Sequence, residues 1–388
     1  MSDEATKSPP GQLGTLLRFA WQQFAGAKAA DSKIAPAAKF AALMPALMIL
    51  PEAARPRLVS LTLTARHNDW RPTGMTVKRG EAFSVFADGA VWISRLLGLG
   101  AEPKLALWLR IAGRGPLRKL PDNAGSFEAW ADGELELCLK PPGEWADDNG
   151  AFDPAYPHSG GEGEIRAVIA LWPGPAQDGL AALARNADFA HLAATAAKRI
   201  VPPQDWSYLW RLGDGAIYEP TTEGGKPAIH VHTHGDVGIL QTAVDLPLAD
   251  DTVLEWRWRV ERLPSDLPEH IQPTHDYLSI AVEFENGRDL TYYWSAGLAE
   301  GTVFHCPLPW WSERETHWVL RSGTQELGRW LGERRSVKAD YAKAIGGPLP
   351  ARIVRVWLIA NSVFQRGHGI ADFTDIALTH AGTRTTIL

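Results

Sequence analysis

Cysteine is nearly absent: across 388 residues only Cys138 and Cys306 carry a thiol. Two cysteines so far apart exclude a disulfide framework and suit a reducing compartment, leaving at most one bridge between domains. Dense runs of lysine or arginine are missing too, and the net charge is -6. Nucleic acid is therefore not the expected partner. No apolar run is long enough for a membrane span, which needs about 20 residues. The most apolar stretch, Phe40 to Leu50, is interrupted by Pro45 and bounded by Pro51. The start, Met1-Ser2-Asp3-Glu4-Ala5, lacks the basic residues and apolar core of a secretory signal. These absences lead us to expect a soluble, cytoplasmic protein. Several catalytic signatures are also missing: His-Glu-x-x-His, Gly-x-Ser-x-Gly and paired Cys-x-x-Cys. Gly113-Arg114-Gly115 and Gly160-Gly161-Glu162-Gly163 lack the lysine and the strand–turn–helix setting of a nucleotide loop.

Tryptophan, by contrast, is abundant, with seventeen copies. An indole offers a large apolar face and one donor, which suits either a wide sandwich core or a flat hydroxylated ligand. The length allows two domains. Residues 1–11 read as a disordered tail and 12–55 as a helical hairpin: helix over Leu13–Ala30, a turn at Asp31-Ser32-Lys33, and helix over Pro36–Leu50. From Arg57 the pattern becomes short alternating runs punctuated by Asp88-Gly89, Asp132-Gly133 and Pro142-Gly143. These define a β-sandwich over 56–174. A helical connector follows over 175–201, with Leu180, Leu183, Phe189, Leu192 and Ala196 as its buried stripe. The rest, 202–388, is a second all-β domain. There Leu254, Trp256, Trp258 and Val260 alternate with Glu255, Arg257 and Arg259. Leu278, Ile280, Val282 and Phe284 form another apolar face, and Asn286-Gly287 marks a hairpin. Later strands are expected at Trp318–Arg321 and Ile353–Ala360, with a short helix over Ser336–Ile345. The fold class is therefore all-β, two antiparallel jelly-roll-like sandwiches with an N-terminal helical hairpin and a helical connector.

Two stretches carry family resemblance. Trp70-Arg71-Pro72-Thr73-Gly74-Met75-Thr76-Val77-Lys78-Arg79-Gly80-Glu81, with Asp122-Asn123-Ala124-Gly125-Ser126-Phe127 and Ala131-Asp132-Gly133-Glu134-Leu135-Glu136-Leu137, resembles the galactophilic-lectin-like β-sandwich domains of bacteria. The likeness spans residues 57–172. In that family an Asp/Asn-rich loop holds calcium, which orients sugar hydroxyls. The corresponding run here is Trp145-Ala146-Asp147-Asp148-Asn149-Gly150, separated from the last strand by an insertion through Gly163. Residues 204–378 resemble an uncharacterised bacterial family of unknown function, whose implied fold is a concanavalin-like or galactose-binding-like jelly roll. Glu255-Trp256-Arg257-Trp258-Arg259-Val260, His275-Asp276 and Arg352-Ile353-Val354-Arg355-Val356-Trp357 carry it.

The chemistry-bearing run is Ile229-His230-Val231-His232-Thr233-His234-Gly235. A strand turns alternate side chains to one face, so the three imidazoles point together. They sit about 6.6 Å apart along the strand, too far for all three to hold one ion unless it bends. Two of them with His275, Asp276 or Glu255 could hold a divalent metal, zinc in this domain, with calcium the corresponding expectation for the lectin-like one. Without a metal, His232, His234, His275, Tyr293 and Glu255 are candidates for acid–base catalysis. His230, Arg257, Arg259, Arg355, Trp357, Asn361 and Trp310 would bind the ligand, the arginines as carboxylate clamps. A plain reading is open beside both: an exposed histidine face and ordinary cross-strand charges. A Cys306 nucleophile is disfavoured, since His305 and Cys306 face opposite ways on a strand.

Two functions are weighed. One is a lyase or hydrolase acting on a carboxylated or polyhydroxylated, carbohydrate-like small ligand. The other is a non-catalytic carbohydrate or small-ligand binding protein. A small molecule or glycan is the expected partner, and self-association through residues 12–50 would make a homo-oligomer.

Overall fold

The computed structural model describes residues 6–24, 33–34, 39–66, 69–95, 98–156 and 161–388. The chain forms two compact units. The earlier comprises Lys33–Ile200 with Trp210–Ala216; the later comprises Met1–Ser32, Val201–Leu209 and Ile217–Leu388. Each is built from antiparallel sheets layered as a sandwich, with one parallel strand pair in the later unit. The first helix, α1 (Gln12–Phe24), belongs to the later unit. Most of the turn expected at residues 31–33 lies outside the described residues.

In the earlier unit, β1 (Arg57–Thr64), β3 (Ala82–Ser94), β4 (Leu99–Ala101), β7 (Ala124–Glu128) and β9 (Glu162–Leu171) form one sheet. The other is β2 (Arg71–Val77), β8 (Gly133–Leu139), β5 (Leu107–Ile111) and β6 (Arg114–Lys119). Alternation explains the layering: Phe83, Val85, Ile165, Ala167 and Ile169 meet Leu107, Leu109, Leu135 and Leu137 between the sheets. The other face of the first sheet, through Phe86, Val168, Ala170 and Trp172, carries helices. These are α2 (Leu43–Met48), α4 (Ala176–Ala184) and α5 (Ala190–Ala197). The stripe Leu180, Leu183, Phe189 and Ala196 is buried there. A single turn of helix, α3 (Pro103–Ala106), leads into β5.

The later unit pairs two larger sheets. One runs β10 (Ser207–Tyr208), β13 (Val237–Pro247), β20 (Arg352–Asn361), β15 (Tyr277–Phe284), β16 (Asp289–Ser295), β18 (Glu315–Ser322), β17 (Val303–His305). The other runs β11 (Tyr218–Glu223), β12 (Lys226–His234), β21 (His368–His380), β14 (Val253–Arg262), β19 (Leu331–Ser336), with β22 (Thr383–Thr386) beside β21. Between them lies an aromatic core, in which Trp256 meets Tyr292 at 5.6 Å and Trp258 meets Trp294 at 5.7 Å. Nine of the seventeen tryptophans are buried: Trp108, Trp145, Trp172, Trp206, Trp256, Trp258, Trp294, Trp318 and Trp357. For these the packing use of indole holds. The helix α6 (Val337–Ala344) follows β19.

The tail expected over 1–11 is tied down where it is described: Lys7 exchanges backbone hydrogen bonds with Gly301 and Val303. Neither cysteine is in a disulfide, and both are buried. No helix among the described residues is long and apolar enough to cross a membrane.

Candidate functional site

Because Ile229, Val231 and Thr233 on β12 turn into the core, His230, His232 and His234 share the outer face of the six-stranded sheet. Pairing with β21 supplies partners from far along the chain. His230 lies across from Asp372, and Asp372 lies across from Arg259 on β14, so the three form one row. His230 Nδ1 is 2.8 Å from Asp372 Oδ1. Arg259 donates to Asp372 Oδ2 through Nε at 3.2 Å and Nη2 at 2.8 Å. The bond to Asp372 raises the proton affinity of His230 above the ordinary imidazole value, burial opposing it. Burial works against the charge on Asp372, yet His230 and Arg259 hold its carboxyl below the usual range. His232 Nε2 lies 3.0 Å from His368 Nδ1, and His234 stacks on His368 with centroids 4.1 Å apart. Arg257 and Arg259 both lie over Trp330, at 5.3 and 5.2 Å. Arg257 keeps only a loose 3.7 Å pairing with Asp375, whose closer partner is Lys226. Glu255 accepts from Arg334.

Of the remaining sequence-derived residues, Tyr293, Arg355, Trp357 and Asn361 lie on the other sheet, and His275 and Trp310 lie in segments that lead into its strands. Since Tyr292 and Trp294 face the core, Asp289, Thr291, Tyr293 and Ser295 face outward on β16, and register carries Tyr277, Glu283, Glu315, His317, Arg355, Trp357 and Asn361 to that same outer face. The imidazoles of β12 and the residues Arg355, Trp357, Asn361 and Tyr293 therefore belong to different sheets. Alternation separates inside from outside but cannot say to which sheet a strand belongs. Arg355 and Arg314 share the Glu283 carboxylate, at 2.8 and 2.6 Å. Arg314 also lies over Trp311 and Trp357. Trp310 is half-buried in the segment before β18. The Asn361 amide caps the His275 carbonyl at 2.7 Å. Asp276 accepts the amides of Phe364 and Gln365, so it is spent on a turn.

His275 finds its partners here and not at β12. His275, Cys306, Glu315 and His317 are all buried, with one potential ligand atom from each lying within 4.8 Å of the others. The group could hold a metal ion. Sequence reading missed Glu315 and His317 because the strand was expected to begin at Trp318, whereas β18 begins at Glu315. The usable signal was their two-residue spacing. Burial, and His317 beside it, lowers His275 to about 3. Burial, with the nearby Glu315, pushes the Cys306 thiol well above its ordinary value. Asp289, which shares the Thr291 hydroxyl with Glu315, is raised by burial and by the charge of Glu315. In the earlier unit, Asp147 of the expected calcium loop accepts the amides of Asn149 and Ala151, holding its own turn.

Residues 211–377 match a family model described as "Protein of unknown function (DUF3047)". That is less than half the chain. No curated protein matches it. Among solved structures, the N-terminal domain of EclA, a PllA-like lectin, is 15% identical, with 29% of this chain and 95% of that one covered and a TM-score of 0.23. The xyloglucanase domain of NopAA, a type three effector from Sinorhizobium fredii in complex with cellobiose, is 10% identical. It covers 46% of this chain and 94% of its own, with a TM-score of 0.29. An ENZbleach xylanase variant is 10% identical, covering 49% and 87%, with a TM-score of 0.28. These are weak likenesses to lectin-like and glycosidase folds over parts of the chain.

Proposed function

We propose that the later unit is an enzyme, a lyase or hydrolase, that works on a carboxylated, carbohydrate-like small molecule at the outer face of its six-stranded sheet. One observation carries this reading: His230 is held through Nδ1 by Asp372, itself held from its other oxygen by Arg259. A base oriented by a carboxylate is the arrangement that general acid–base and nucleophile-activating sites need. With Nδ1 committed as a donor, Nε2 carries the lone pair, and the side chain is 38% exposed, so a substrate can reach it. In an elimination, Nε2 takes the proton next to the substrate carboxylate while Arg257, stacked on Trp330, neutralises that carboxylate. The electron pair forms the new double bond and expels the neighbouring oxygen, which takes a proton from the His232–His368 pair.

The second reading, ligand binding without turnover, is favoured by the Arg257–Trp330 stack, which needs no chemistry to hold a flat anionic ring. A panel of uronate-containing oligosaccharides and glycosides separates the two, read by ultraviolet absorbance of an unsaturated product, by reducing ends and by calorimetry. Turnover that falls by about a hundredfold or more in His230→Gln, with binding retained, supports the enzyme. Binding that weakens in Arg257→Gln with no turnover in any variant supports the binder. Turnover and binding both indifferent to His230→Gln and Arg257→Gln remove this face from the function.

A further inference from the structure

The buried polar group on the opposite sheet does not take part in that reading, and its geometry stands independently. Glu315 and His317 alternate on β18 and so share a face. The antiparallel neighbour β17 brings Phe304 opposite His317, and Cys306, just past the end of β17, bonds its amide to the Glu315 carbonyl at 2.9 Å. His275 arrives from the 3₁₀ turn Gln272–Thr274 that leads into β15. Three segments distant in sequence thus deliver four donor groups to one point. Cys306 Sγ is 3.4 Å from His275 Nε2, and His317 Nε2 is 3.6 Å from Glu315 Oε2. In a tetrahedral zinc site, sulfur–nitrogen edges are about 3.6 Å and nitrogen–oxygen edges about 3.3 Å, from bond lengths of about 2.3 and 2.0–2.1 Å. The two measured edges lie within a few tenths of an ångström of those values.

The surroundings orient these atoms as ligands. His275 Nδ1–H donates to the Glu269 carbonyl at 2.7 Å, which fixes the tautomer and leaves the Nε2 lone pair facing Cys306. Tyr277 donates to Glu315 Oε1 at 3.0 Å and Thr291 approaches the same oxygen at 3.4 Å, leaving Oε2 toward His317. His317 supplies the independent observation. Its side chain is completely buried, yet Nδ1 has no hydrogen-bond partner and Nε2 has only the long 3.6 Å contact with Glu315 Oε2. A buried polar atom left unpaired costs about 1–3 kcal/mol, a cost that coordination through Nε2 would remove at that nitrogen alone. Charge agrees: a thiolate, a carboxylate and two neutral imidazoles around a divalent cation sum to zero, the total that a dry pocket accepts most readily. The thiolate and imidazoles select against calcium and magnesium, which take oxygen donors.

We propose that His275, Cys306, Glu315 and His317 hold one divalent ion of the zinc class in a closed tetrahedral centre. Four protein donors in full burial leave no position for substrate, so the centre is structural. It clamps the β17–β18 edge to the segment before β15. The metal-free 388-residue chain titrated with cobalt(II) under reducing conditions tests it. The expected result is one cobalt per chain with the visible bands of tetrahedral cobalt and a thiolate-to-cobalt charge-transfer band. Cobalt on the exposed histidines of β12 and β21 would give no sulfur band. Because the chain has only two cysteines, the band persists in Cys138→Ala and disappears in Cys306→Ala. Should Cys306→Ala fail to fold, Cys138→Ala alone decides, since its remaining thiol is Cys306. A wild-type chain that gives no charge-transfer band, a band lost in Cys138→Ala, or one that survives Cys306→Ala overturns the proposal.

Discussion

Replacing Glu269 with glutamine should reverse the order of stability between wild type and variant as pH is raised. Glu269 is 1% exposed. Its Oε1 accepts the Ala296 amide at 2.6 Å and its Oε2 accepts the Ser295 hydroxyl at 2.5 Å, with the Tyr293 hydroxyl at 3.5 Å. Burial pushes its carboxyl up from 4.5 to about 8 in spite of these bonds. A folded value above the unfolded one means that the stability contribution is complete below 4.5 and is lost as pH climbs through 8. At about 1.4 kcal/mol per unit, the whole loss is on the order of 5 kcal/mol. Glutamine does not titrate. Its amide nitrogen, however, must face either the Ala296 amide, a donor, or the Ser295 hydroxyl, which already accepts from the Gly297 and Leu298 amides, at a cost of about 1–3 kcal/mol.

The two effects cross. Near pH 5 the carboxyl is protonated and the variant is less stable by about 1–3 kcal/mol. Near pH 9 the ionised wild type has lost about 5 kcal/mol, and the variant is the more stable by about 2–4 kcal/mol. Urea unfolding across this range, followed by tryptophan fluorescence with the transitions of the two units separated, reads both slopes. Curves for Glu269→Gln and wild type that stay parallel would show that Glu269 keeps its charge in the fold. The three hydrogen bonds would then outweigh desolvation, and the reasoning would be wrong.

Asp372→Asn should bring the proton affinity of His230 down toward the ordinary imidazole value, because the bond from Asp372 is the largest cause of its elevation. Proton NMR titration of the ring checks this, and an unchanged midpoint refutes the role given to Asp372. Leu13, Leu17 and Trp21, four residues apart on α1, form an exposed apolar stripe. Light scattering should give a mass above the 42.5 kDa monomer, returning to it in Leu17→Glu; a wild-type monomer removes the self-association.

Legibility in this sequence ends where strands have to find one another. Alternation at Leu254, Trp256, Trp258 and Val260 identified the inward face of β14, and the His230–His234 run identified the outward face of β12. Asn286-Gly287 placed the β15–β16 turn, where Gly287 takes φ of +78°. None of these local signals reveals that β12 lies beside β21, 142 residues away at the His230–Asp372 contact. Asp372 therefore carried no mark as a partner for histidine. The same limit hid the cluster of His275, Cys306, Glu315 and His317. Cys306 and Glu315 meet because β17 folds back on β18, while β16 and β18 pair in parallel. A strand boundary set three residues late was enough to leave Glu315 and His317 outside any face.

The outer face of the seven-stranded sheet poses an energetic question that its fold alone does not answer. Every residue of β15 and β16 is buried, so this face is covered by Glu269, His275, Cys306 and Arg314 from outside those strands. A covered sheet face gains most from apolar side chains, and well-packed hydrophobic residues often match or exceed a buried ionic group in stability. Yet the sequence places Tyr277, Glu283, Asp289, Thr291, Tyr293, Glu315 and His317 there. Arg314 and Arg355 compensate one end of the layer through Glu283. The other end, around Glu315 and His317, holds no Lys or Arg side chain in a salt bridge with Glu315 among the described residues. The divalent ion proposed above would supply positive charge there, between Glu315 and the buried His317 ring. Packing alone gives no reason for a carboxylate, a thiol and two imidazoles to share this dry end of the layer, whereas the proposed metal centre would use all four.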